Sequence, residues 1–431
     1  MLRLGPSSGL RAAQEKSTVL WHPDDHDTSP QNGVLLPAGS AAGVQVGTGS
    51  SVAGLLYKNP QPYYSQWNFG VEQQINSGIV LHLNYAGSKG THLPIGYRPN
   101  DLQPRYWGAV GDPGNVQSAY LSALVPNPLY GQSGVSGVFA SPTVQRQQLL
   151  AAYPQYGPNT GMSNTSLSVN QDDIASSTYH AFQAFVTART SNLSAIVSYT
   201  WSKLLGNTTD VTTGGFNANG QPGVQNFYRY DLERSVQPTD IPHRIVGNLN
   251  YTLPFGRGQK FGGNLPGWAN QAVGGWKLNF IGFIQSGYAL GITQTGGAAY
   301  SGGRPSFVAG INPLTSGGIH QRLGGGAAVG QTQGFFNSAA FRLAQAFELG
   351  NVPRSSGLMR GPRGFQDDIS AIKDFPIHDS ISLQFRLEAF NFLNRVQFGL
   401  PNQQFNSATF GQITTQYNLP RNVQAALKLN F

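Results

Sequence analysis

Residues 422–431 read NVQAALKLNF, and this stretch decides the fold. Val423, Ala425, Leu427, Leu429 and Phe431 are apolar; between them lie Asn422, Gln424, Ala426, Lys428 and Asn430, polar apart from one alanine. A period of two is the signature of a β-strand with one dry and one wet face. The alternation continues to the last residue, an aromatic ring, without fraying.

The same period recurs upstream. In SQWNFGVEQQI, Trp67, Phe69, Val71 and Ile75 share a face opposite Asn68, Gly70, Glu72 and Gln74. The tight turn NSG leads into IVLHLNYAGSKG, with Ile79, Leu81, Leu83 and Tyr85 on one side. Phe182, Ala184, Val186 and Ala188 precede a turn at TSN, after which Leu193, Ala195, Val197, Tyr199 and Trp201 alternate with serines and threonine. HRIVGNLNYTLPF, GGWKLNFIGFIQSG and the pair DDISAIKDF and ISLQFRLEAF follow the same rule. About nine strands of roughly ten residues result, with Trp67, Tyr85, Tyr199, Trp201, Tyr251 and Trp276 near strand ends.

The connections alternate in length. Those after Ile75, Arg189 and Phe375 are short and the one after Phe255 is moderate, whereas those near 89–176, 204–241, 288–365 and 394–420 are long and rich in Gly, Asn, Gln and Pro. A soluble sandwich has no reason to alternate so. A transmembrane barrel does, because one rim carries tight turns and the other long outer loops. Every backbone group of a strand in lipid must enter a ladder, which explains a last strand patterned along its whole length.

Composition agrees. Only 11% of the 431 residues are charged, 55 are Gly and none is Cys, so neither disulfides nor thiolate metal sites are available. The net charge of +8 is spread over single Lys and Arg residues rather than a basic run, which argues against nucleic acid. No stretch reaches the ~18 apolar residues of a membrane helix. The opening residues 1–27 lack the apolar core of a signal peptide.

YYSQWNFGVEQQI, LNYAGSKGTHLP, VSYTWSK, DIPHRIVGNLNYTLPFGRGQKF, GGWKLNFIGFIQSG, MRGPRGF, LQFRLEAFNFLNRVQFGLPN and FGQIT, in this order over about residues 60–431, resemble the TonB-dependent outer-membrane receptors of the Oar-like type. The resemblance implies an all-β antiparallel transmembrane β-barrel with long extracellular loops and short periplasmic turns, of which residues 59–431 would be the C-terminal portion. Complete members also carry a signal peptide, a β-sandwich, a plug and a barrel of about 22 strands. Residues 1–58 are then remnant or outer loop, and the chain reads as a truncated product without the plug. The ending, with Val423, Leu427, Leu429 and Phe431, looks like the signal read by the barrel-assembly machinery. Implied partners are outer-membrane lipid and lipopolysaccharide, the TonB complex through a plug, and a polar ligand, glycan or peptide.

Chemistry-bearing groups are few. WHPDDHD (residues 21–27) could hold a metal, but Pro23 and the acids read as a solvated turn. PFGRGQKFGG imitates a phosphate loop without the following Ser or Thr and helix. Asp172/Asp173 and Asp367/Asp368 are carboxylate pairs of the kind glycosidases use, here at strand entries. Glu72, Arg189, Arg386, Glu388 and Lys428 fall on inward faces and are expected to line the lumen, meeting across strands. No cofactor and no enzymatic activity are expected. A passive adhesin or surface barrel, and a soluble glycan-binding or hydrolytic sandwich, are the competing readings.

Overall fold

The computed structural model describes residues 2–6, 47–56, 60–107, 117–132, 135–161, 163–208, 223–294, 303–323, 334–378 and 381–431. The 21–27 acidic cluster lies outside them. Nine long strands form the body of one sheet: β1 (Tyr63–Asn76), β2 (Ile79–Tyr97), β3 (Leu167–Arg189), β4 (Leu193–Gly206), β5 (His243–Thr252), β6 (Trp276–Gln285), β7 (Gly364–His378), β8 (Ile381–Phe390) and β9 (Asn422–Asn430). Each pairs antiparallel with the next in sequence, an uninterrupted meander. Three short strands complete the 12-stranded sheet. Two come from the N-terminal stretch set apart above: Val52–Leu56 pairs parallel with the start of β3, and Leu2–Pro6 pairs with Val52–Leu56. The third, Ser235–Val236, extends β4.

The register keeps the two faces apart across all nine strands. One row runs Val71, Leu83, Ala184, Tyr199, Ile245, Ile284, Phe365. Another runs Tyr251, Leu278, Ala371, Leu387, Ala425. These side chains are not covered by a second layer: Phe69 is 70% exposed, Trp201 59% and Leu427 69%. A soluble domain cannot leave so wide an apolar surface wet. The single-layer sheet therefore replaces the sandwich reading.

The sheet is open. Among the described residues β1 pairs only with β2, and β9 only with β8.

Strand ends depart from the sequence reading in two places. β2 and β3 reach 19 and 23 residues, well past the expected boundaries, because Leu93, Ile95 and Ala175 are buried there against Val224 and Phe227. The carboxylate pairs consequently lie inside β3 and β7 rather than at strand entries. A seven-residue helix, Gly267–Val273, does follow the glycine-rich PFGRGQKFGG, contrary to expectation. It packs the moderate β5–β6 connection through Arg257, whose N–H donates to the Asn270 side chain at 2.7 Å and whose guanidinium donates to the Leu265 carbonyl at 3.0 Å.

Most of the hydrophobic core does not lie in the body of the sheet. It lies in the long connections, all at one end. Leu290, Ile292, Phe335, Phe336, Phe341 and Met359 of the β6–β7 connection form one cluster, with Phe405, Phe410 and Ile413 of the β8–β9 connection against it. Leu102, Trp107 and Leu121 of the β2–β3 connection meet Phe347 and Leu349 in a second. Phe347 is fully buried at φ 61°, a left-handed backbone that a bulky residue holds only when packing offsets the strain. The four long connections thus form a knitted crown.

Candidate functional site

Two surfaces qualify: the polar face of the sheet, and the crown above it. The polar face is built by the even-numbered phase of β1, β2, β4, β5 and β7–β9 and by the odd-numbered phase of β3 and β6, with Gln183, Arg189, Ser194, Ser198 and Thr200 supplied by β3 and β4. One of its rows crosses seven strands as Arg189, Ser194, Asn250, Asn279, Ser370, Glu388 and Gln424. Ser194, Asn250, Asn279, Lys277 and Gln384 line a depression near the short turns.

The anticipated charged residues all stand on this face, in separate groups. Arg386 donates to Glu388 at 3.3 Å along its own strand and to Gln384 at 3.2 Å. Gln424 donates to Glu388 at 2.5 Å, and Gln384 to Asp374 at 2.8 Å. Lys277 completes this ladder with an ion pair to Asp374 at 3.0 Å. Lys428 faces Gln384 in register. Glu72 lies on β1 and bonds His82 at 3.0 Å, whose ring stacks on Phe185 at 4.1 Å. Arg189 shares a row with Glu388 but stands five strands away, roughly 24 Å along the sheet. Across strands, Glu388 thus meets the neutral Gln424 and Glu72 meets His82, while among the described residues none of the five anticipated charges forms an ion pair with another across strands. Their side chains are mostly exposed, where ion pairs add little stability.

The face is not uniformly polar. Phe185, Val246 and Phe283 stand in one row across it, with Ile196 and Ile281 in the next. The Arg244 guanidinium covers the Phe283 ring at 5.5 Å. This apolar island lies between the Glu72–His82 pair and the Asp374–Glu388 ladder.

The crown holds a different set of charges, buried and paired. Asp101 accepts from Arg98 at 2.9 and 3.1 Å, from the Asn164 N–H at 2.8 Å and from the Phe227 N–H at 2.8 Å. Burial pushes its carboxyl upward while Arg98 and the two N–H groups pull it back. Glu233 and Arg304, each 1% exposed, form an ion pair between the second and third long connections. Burial draws the Arg304 guanidinium below its usual range, and Glu233 opposes that shift. Asp240 pairs with Arg360 at 2.6 Å, and Glu348 with Arg342 at 2.7 Å. The Gln225 side-chain amide imitates a strand partner, donating to the Gly350 carbonyl at 2.9 Å and accepting from its N–H at 3.0 Å. None of these crown groups was singled out from sequence. The available signal was acids set beside apolar residues, Glu233 after Leu232 and Asp101 before Leu102, in a chain with only 19 acids.

The Asp367/Asp368 pair serves the backbone. Asp368 accepts from the Asn391 N–H at 2.9 Å and Asp367 from the Leu393 N–H at 2.6 Å, pinning the chain as it leaves β8. Asn391 and Asn394, in the FNFLNR motif, take positive φ there, a conformation asparagine tolerates. Along β9, Val423, Leu427 and Leu429 lie exposed on the apolar face, and Phe431, at the opposite rim, is 94% exposed.

A search of curated proteins finds no match. Among solved structures, the chain is similar to the outer membrane transporter YddB from Escherichia coli, at 8% identity and TM-score 0.37 over 89% of this chain and 35% of that one. It is also similar to the FrpB iron transporter from Neisseria meningitidis (F3-3 variant), at 10% identity and TM-score 0.32 over 88% of this chain and 33% of that one. The chain spans about a third of the length of these two proteins. The family model described as outer membrane beta barrel domain matches residues 9–424. With that match covering nearly the whole chain, the protein belongs to the outer membrane β-barrel domain family, and its place is the cell outer membrane.

Proposed function

We propose that this chain supplies strands and outer loops to a TonB-dependent receptor of the Oar-like type, one that takes up a large or scarce polar substrate, glycan or peptide. The observation that carries the reading is the division of labour in the sheet: a continuous apolar face, a polar face with charge ladders, and four long connections knitted into one crown. In this reading the crown captures the substrate and the polar face, with Glu72, Arg189, Arg386, Glu388 and Lys428, lines the passage. The exposed edges of β1 and β9 pair with further strands of a larger barrel, since an open edge in lipid leaves backbone groups unsatisfied. A plug opened by the TonB complex gates the passage, and the barrel-assembly machinery inserts the protein through Val423, Leu427, Leu429 and Phe431. No covalent chemistry is required.

The test is uptake. Cells bearing the protein should accumulate labelled oligosaccharide or peptide, and the accumulation should stop when TonB is removed while surface binding persists. Surface binding with no TonB-dependent uptake for either substrate class would instead favour a passive surface barrel. That second reading draws on the density of the crown's own packing, which suits a fixed binding platform.

A further inference from the structure

The outward face carries a feature that neither the strand pattern nor the transport reading uses. Near the crown, Lys89 of β2 and Arg234 of the β4–β5 connection converge on one neutral hydroxyl. The Lys89 ammonium donates to Thr178 Oγ1 at 3.5 Å, and the Arg234 guanidinium donates to the same oxygen at 3.3 Å and to Ser176 Oγ at 3.4 Å. Lys203 of β4, exposed and on the same face, lies opposite His180 in register, two residues along β3 from Thr178. Among the described residues no carboxylate forms an ion pair with Lys89, Lys203 or Arg234. The nearby Arg360 differs, its charge being matched by Asp240. In the crown, Arg98, Arg304 and Arg360 are each paired with an acid. Here, on the surface, like charges gather without one, an arrangement that repels unless an anion bridges it.

Below this cluster, toward the middle of the strands, lies an aromatic belt. Trp67 Nε1 donates to Tyr85 OH at 3.4 Å, Tyr85 OH meets His180 Nδ1 at 2.7 Å, and Tyr199 OH meets His243 Nδ1 at 2.9 Å. Gly87 is what admits Trp67: a Cβ there would sit 2.4 Å from the indole. Amphipathic rings of this kind sit at the membrane–water interface. The cations stand just beyond them, at the depth of lipid headgroups.

We infer that Lys89, Lys203 and Arg234 form a binding site for the phosphoryl group of an outer-leaflet lipid, with Thr178 and Ser176 as neutral hydrogen-bonding partners. The inference rests on the outward face lying in lipid, and not on transport. Its occupant is a phosphorylated lipid headgroup because the site is continuous with the apolar face, so that one molecule can lay its acyl chains on Phe182 and Trp201 and its phosphate on the cations.

The experiment uses the full chain folded in zwitterionic detergent, titrated with bisphosphorylated lipid A, with dephosphorylated lipid A and with inorganic phosphate, and read by native mass spectrometry. Heat-modifiable gel mobility reports folding in every sample. We expect the phosphorylated lipid to bind best, and K89Q/K203Q/R234Q to weaken it about 100-fold, near fivefold for each cation. R257Q/K260Q, at the opposite rim, should bind as the parent does. If the triple variant fails to fold, R234Q alone should show the fivefold loss and R234K should recover part of it. Equal binding of dephosphorylated lipid A, undiminished binding by the folded variants, or displacement by inorganic phosphate as readily as by lipid would each overturn the site. Loss of the transport reading would leave this result untouched.

Discussion

The backbone N–H of Phe227 donates to the carboxylate of Asp101 at 2.8 Å, across 126 residues of chain. Two long connections thus share one buried acid, which also holds Arg98. Replacing Asp101 by Asn keeps the shape and removes the charge, leaving Arg98 without its partner. We expect the crown to lose about 3 kcal/mol of local stability while the sheet stays folded. Limited proteolysis on intact cells should then cut the β2–β3 and β4–β5 connections faster, with unchanged heat-modifiable mobility. Unaltered cleavage would refute the role assigned to Asp101.

The Glu233–Arg304 pair should show strong coupling. Each single change, E233L or R304M, strands a buried charge and costs about 3–5 kcal/mol. The double change removes both charges and should cost much less than the two combined. Hydrogen exchange of the Phe227 and Gly350 amides is the readout. Additive losses would show that the two groups do not depend on each other.

Neighbouring residues on β5 should respond oppositely to the same charge. Leu249 lies on the apolar face and Asn250 on the polar row. L249R should destabilise folding into lipid vesicles by about 2–4 kcal/mol and N250R by under about 1 kcal/mol. Urea titration of vesicle-folded protein measures both, and similar losses would contradict the assignment of faces.

The end of the chain should govern assembly more than stability. Phe431 packs little, being 94% exposed, so F431S should leave the stability of protein refolded in detergent nearly unchanged. In cells it should lower the amount of folded protein in the outer membrane. Normal levels in cells would remove Phe431 from the assembly signal.

Much of this architecture is legible in the sequence because period-two alternation and connection length are local signals. All nine strands and the short–long rhythm of their connections follow from them. The crown's core is not legible, since Leu102, Leu121, Phe347 and Leu349 come together from distant, aperiodic segments. Face assignment likewise places Phe185 and Phe283 on the polar side without explaining them, because alternation orders positions and does not forbid an apolar residue on a wet face. The charges of the polar face could be named one by one. Their partners depended on register, which placed Arg189 far from Glu388 and Lys277 beside Asp374.

The most direct test labels single cysteines at every position of β6, residues 276–285, in a chain with no cysteine of its own. Spin labels in reconstituted bilayers would be read by collision with oxygen in lipid and with a nickel chelate in water. The two accessibilities should alternate out of phase, oxygen favouring Leu278, Phe280 and Ile284 and nickel favouring Asn279, Ile281 and Phe283. Nickel at the last two is the sharper requirement, because hydropathy alone would send them to lipid. Accessibility that follows hydropathy instead of the period of two, or that is uniform along the strand, would contradict the account.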